Sequence, residues 1–123
     1  MRIIRHMVDS PAKDMILVYD VRRNAHQKEF LSRFPKQWRS VEQGKKRPKI
    51  SEGRISKLFY IPYDGEHRFE LDEGAHRSSW TRFGDDSWYV VGRRARVEHV
   101  VFRSLRFGGI PLVTKIWIGD DDG

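Results

Sequence analysis

From residue 54 to residue 118 the sequence keeps one pattern: short runs of β-branched and aromatic residues, each cut by a glycine- or aspartate-containing turn. Arg54 to Tyr63 carries Ile55, Phe59, Ile61 and Tyr63 on one parity. Phe69 and Leu71 alternate with Arg68, Glu70 and Asp72. A side-chain period of two marks a strand with one buried face. Asp64-Gly65 between these runs is a hairpin signal, because glycine reaches the positive φ that tight hairpin turns need. Trp80 and Phe83 precede a Gly84-Asp85-Asp86 turn, and Trp88 to Val91 and Val97 to Phe107 follow. After Gly108-Gly109 comes Ile110 to Ile118. The spacing predicts a strongly bent, mainly antiparallel β-sheet or small barrel of five or six strands.

The first half of the chain reads differently. Residues 1–21 are strand material: Ile3-Ile4, then Met15 to Val21, whose five-residue apolar run suits a strand buried on both faces. Residues 24–43 read as helical. Asn24 is an N-cap, and Phe30, Leu31 and Phe34 share one face. Pro35 either ends that helix or opens a second one holding Trp38 and Val41, and Gly44 closes the region. Residues 44–53 form a basic, exposed loop, since the cations of Gly44-Lys45-Lys46-Arg47-Pro48-Lys49 repel one another and cannot be buried unpaired. The expected fold is α+β over a single domain, 1–123, with a basic N-terminal helical segment packed on the β-rich 54–118 sheet.

Charge narrows the function. The chain carries +7, and residues 22–57 hold twelve Lys/Arg against three Glu, more than the whole excess. Concentrated cations are the electrostatic footprint of a polyanion binder. With no cysteine, disulfides, thiolate metal sites and thiol nucleophiles are excluded. No apolar run reaches the roughly 18–20 residues of a membrane span, and Met1 to His6 lacks a signal-peptide stretch, so the expected location is the cytoplasm.

Residues 88–107 begin Trp88-Tyr89-Val90 and end Phe102-Arg103-Ser104-Leu105-Arg106-Phe107. This resembles the core of the WYL domain, in which a Trp-Tyr-Leu strand is followed about fourteen residues later by Phe-Arg-x-x-Arg-Ile. Val90 stands where the family has Leu, and Leu105 where Asp is usual. The Asp64-Gly65 turn and Arg77, a dozen residues before the tryptophan, extend the similarity to residues 55–112. The resemblance implies a small Sm/SH3-like barrel and a basic, aromatic groove for nucleic-acid or nucleotide ligands.

Read from residues alone, parity puts Arg94, Arg96, Phe102 and Arg106 on one strand face with Glu98 and Val100. Val97, Val101, Leu105 and Phe107 take the opposite, apolar face. Arg103 falls on the apolar side, to be held in an ion pair or pocket unless a bulge shifts the register. Guanidinium groups can hold phosphates while rings stack on bases. The candidate nucleic-acid contacts are therefore Lys36, Arg39, Lys45, Lys46, Arg47, Lys49, Arg77, Trp88, Tyr89, Arg94, Arg96, Arg103 and Arg106.

Catalytic and metal signals are thin. The histidines (His6, His26, His67, His76, His99) have no ligand spacing, Asp85-Asp86 and Asp120 to Asp122 read as solvated charge, and neither a metal nor a cofactor is expected. A nucleic-acid-binding regulator, DNA or RNA, is the leading expectation. Two alternatives stay open. One is a small metal-independent toxin-type ribonuclease using His67, His76, Arg77, Arg82 and Tyr89. The other is a phage-type regulator that binds an acidic protein partner. An unpaired edge strand in so small a sheet also makes a homodimer an expectation.

Overall fold

The computed structural model describes residues 14–119. In chain order these form β1 (Met15–Asp20), a 3-10 turn (Val21–Arg23), α1 (Ala25–Leu31), α2 (Pro35–Glu42), β2 (Lys49–Ile61), β3 (Glu66–Asp72) and β4 (Arg77–Thr81). A second 3-10 turn (Asp86–Trp88), β5 (Arg94–Ser104) and β6 (Gly108–Gly119) follow. All six strands belong to one antiparallel sheet in the order β1-β6-β5-β2-β3-β4. The expected Ile3-Ile4 strand and the acidic tail lie outside the described residues.

Local chemistry sets the helices. The Asn24 side chain accepts hydrogen bonds from the backbone N–H groups of His26 and Gln27, satisfying two donors at the start of α1. Pro35 occupies the first turn of α2, where its missing N–H costs nothing. Both helices sit between β1 and β2, so the helical segment is not N-terminal to the sheet. Chain entry through β1 puts it second.

The sheet bends at one corner. β2 pairs with β5 through Lys49–Arg54 and with β3 through Arg54–Ile61, changing partner where the sheet turns. Gly53 sits at that corner, and a Cβ there would come within 2.0 Å of the Asp72 carbonyl oxygen. Only glycine lets the two strands approach so closely. The concave side buries Ile55, Phe69, Leu71, Tyr89, Ala95, Val97, Val100, Phe102, Leu112, Ile116 and Ile118. Aromatic pairs bridge it: Tyr19 stacks on Phe83 at 4.3 Å, Phe69 meets Tyr89 at 5.0 Å, and Phe34 of the helical region meets Phe102 at 5.5 Å. The sheet curls but does not close, so the barrel alternative gives way to an open sheet with β1 and β4 at its edges.

Four local expectations change. The apolar run of β1 is an edge strand, with Ile16 and Leu17 each 37% exposed, not a strand covered on both faces. β2 begins at Lys49, so the basic loop stops at Pro48. Trp88 to Val91 forms no strand, because Asp85 caps a 3-10 turn that ends at Trp88. Finally, the β5–β6 ladder shifts register between Glu98 and His99. Ala95 and Val97 face the core before this point, and Val100 and Phe102 after it. The shift reverses the parity beyond residue 98, so Phe102 is fully buried, while Leu105 and Phe107 lie in the turn between β5 and β6 and are exposed. Arg103 is turned out to solvent for the same reason.

Candidate nucleic-acid interface

α2 presents two faces. Trp38 and Val41 pack against the core, and Lys36 and Arg39 point outward. At its C-terminal end the N–H groups of both Lys45 and Lys46 donate to the Ser40 carbonyl, at 2.9 and 3.1 Å, and Gly44 turns with φ 74°. Two lysines are thereby tied to the negative end of the helix dipole, where cations are favoured. At its N-terminal end the Gln37 amide donates to the Arg103 carbonyl at 2.9 Å and accepts from the Arg103 N–H at 2.7 Å. That bidentate contact docks the β5–β6 hairpin, with Arg103 and Arg106, against the start of α2. An eight-residue helix is about 12 Å long, so a short ridge with Lys36 and Arg39 exposed on it links the Arg103 backbone at one end to the Lys45-Lys46 turn at the other.

Beside the loop lies a groove of about 360 Å³ lined by Val41, Gly44, Lys46, Arg47, Pro48, Ile50, Arg96 and Glu98. Among the described residues no hydrogen bond or ion pair engages the side chains of Lys45, Lys46, Arg47 or Lys49. Arg96 forms the floor. It lies 3.6 Å from Glu52, and its guanidinium sits 5.6 Å from the centre of the Trp117 ring. Lys115 Nζ lies 6.0 Å from the same ring. The Glu98 carboxylate is engaged by the Thr114 hydroxyl, which donates to it at 2.7 Å.

No protein-family model matches the chain, and neither a curated protein nor a solved structure does.

Of the residues expected to contact nucleic acid, Lys36 and Arg39 are exposed on α2, Lys45, Lys46 and Arg47 follow its C-terminal end, Lys49 opens β2, Arg103 lies near the end of β5 beside Gln37, Arg106 lies in the β5–β6 turn, and Arg96 lines the groove. The others are used elsewhere. Arg77 faces Asp72 across the β3–β4 ladder and pairs with Glu70 at 3.6 Å and Asp72 at 3.9 Å. Arg94 pairs with Asp14. Trp88 packs against the core, and its carbonyl accepts a hydrogen bond from Arg93. Tyr89 is buried, its hydroxyl donates to the Phe83 carbonyl at 2.5 Å, and burial pushes its pKa well above the ordinary value. It is a core residue and not a stacking platform.

The ribonuclease set is spread over several contacts. His76 pairs with Glu73 at 3.2 Å, and His67 lies 3.5 Å from Arg82 and against the Tyr60 ring, while the Tyr89 hydroxyl is spent on backbone. Among the described residues no group of three or more His, Asp or Glu side chains is placed to hold a metal ion. No helix of the described residues is long and apolar enough to cross a membrane.

Trp117 and Lys115 were missing from the sequence reading. Their signal was parity: they alternate with the buried Ile116 and Ile118, and the register sets Arg96 directly opposite Trp117.

Proposed function

We propose that this protein binds nucleic acid without cleaving it, holding phosphates along the α2 ridge and the Lys45–Lys49 loop. One observation carries the reading: Lys45, Lys46, Arg47 and Lys49 have no carboxylate partner among the described residues, and Lys46 and Arg47 line a groove together with Arg96, itself paired with Glu52. Loop cations reach a phosphate backbone without desolvating a core, and each contact releases condensed counterions.

The test is a gel shift with single- and double-stranded DNA and RNA of matched length at two salt concentrations, with RNA integrity read on the same gel. A shift that weakens steeply with salt and leaves RNA intact supports the proposal. Shortened RNA points to a ribonuclease instead. No shift at low salt contradicts the proposal and turns attention to an acidic protein partner, for which the same ridge has the complementary charge.

A further inference from the structure

We infer that the nucleic acid held here is single-stranded, with one base stacked on the indole of Trp117; this rests on the reading above and deepens it. Trp117 lies on the sheet face opposite the core, alternating with the fully buried Ile116 and Ile118. The register sets Glu52, Arg96, Trp117 and Leu17 in one row across β2, β5, β6 and β1. Leu17, at the end of that row, is more than a third exposed. Two cations, Arg96 and Lys115, lie within 6.0 Å of the indole centre. Arg96 also floors the groove that Lys46 and Arg47 line, so ring and phosphate-binding cations are continuous through a single side chain.

That continuity separates the two forms of ligand. A strand whose bases are unpaired can lay phosphates on the cations and turn a base onto the ring, the arrangement used by single-strand binders. In a duplex the bases are stacked on one another and only phosphates face the sheet, so Trp117 adds nothing. The nearby carboxylates each face a cation: Glu52, in the row, is paired with Arg96, and Glu98 lies opposite Lys115 in the β5–β6 ladder.

The experiment measures fluorescence anisotropy of a labelled twelve-nucleotide oligo-dT, oligo-rU and a twelve-base-pair duplex, at low salt, on the full chain. Wild type is compared with Trp117→Leu and Trp117→Phe, and intrinsic tryptophan emission is followed in parallel. The expected result is single-strand binding at least tenfold tighter than duplex binding. Trp117→Leu should lose about tenfold on the single strand and leave the duplex unchanged, while Trp117→Phe, which keeps a ring, loses little. The quenching of emission by oligo-dT should vanish in both variants. Equal affinity for duplex and single strand overturns the inference, as does a Trp117→Leu effect that is the same on both ligands or absent. Should Trp117→Leu fail to fold, persistence of quenching in Trp117→Phe overturns it alone. Absence of binding to all three ligands is the separate result that removes the parent reading as well.

Discussion

The imidazole of His99 on β5 packs against the indole of Trp80 on β4, ring centroids 4.5 Å apart, although β2 and β3 lie between those strands in the sheet. The contact is a direct consequence of the corner at Gly53, which folds the β3–β4 arm back over the rest of the sheet. It leaves His99 half-buried, with Ser51 Oγ 3.2 Å from Nε2.

Burial holds the His99 pKa below the ordinary 6.5, and the neighbouring Lys49 ammonium lowers it further, against the weaker pull of Glu73 and Glu98. Between that depressed value and 6.5 the unfolded chain binds a proton that the folded chain does not. Stability therefore rises with pH through this window and is lost on acidification. Thermal melts from pH 7 to pH 5 should show a steeper fall for the wild type than for His99→Gln. Parallel curves would remove His99 from the account.

Gly53→Ala should cost about 3 kcal/mol, because the added methyl meets a backbone carbonyl that cannot move without opening the corner. Gly44→Ala is the control. Nothing lies within 4 Å of its Cβ position, so only the positive φ of 74° opposes it, about 1 kcal/mol. Urea denaturation of both variants measures the difference, and equal losses would mean that the close approach at Gly53 is not what fixes the bend.

The register shift at Glu98 and His99 and the turn after Ser104 together make opposite predictions for two residues three apart. Phe102→Ala should cost about 3–5 kcal/mol as a fully buried ring, while Leu105→Ala, wholly exposed, should stay within about 0.5 kcal/mol. Strict alternation from Arg94 would favour the reverse order.

That pair of residues shows where sequence reading stops. The Asn24 cap, the Asp64-Gly65 turn and the alternation at Phe69 and Leu71 were legible, because each is decided within a few residues. Pro35 was legible as a boundary but not as the start of α2 in preference to the end of α1. The bulge was not legible, since its cause lies in how β5 meets β6 near Thr114. The candidate site divides along the same line. Lys45 to Lys49 could be read as exposed from their own mutual repulsion. The neutralisation of Arg77, Arg94 and Arg96 could not be read, for Asp72, Asp14 and Glu52 become neighbours only through strand pairing. Tyr89 likewise looks like a ligand-facing aromatic until Phe83 supplies its acceptor.

Tyr89→Phe should destabilise the fold by about 1–2 kcal/mol, since it leaves the part-buried Phe83 carbonyl without its donor. Oligonucleotide affinity, measured well below the melting temperature, should not change. A large loss of affinity with intact stability would return Tyr89 to the ligand site.

The most direct measurement of the central claim is the salt dependence of oligonucleotide affinity for the wild type and for the variant Lys45→Ala, Lys46→Ala, Arg47→Ala, Lys49→Ala. Each lost phosphate contact lowers the slope of log affinity against log salt by about 0.7 for a single strand. The four substitutions should thus flatten the slope by roughly 2–3 and weaken binding most at low salt. An unchanged slope with unchanged affinity would show that the cations beside α2 do not hold the polyanion.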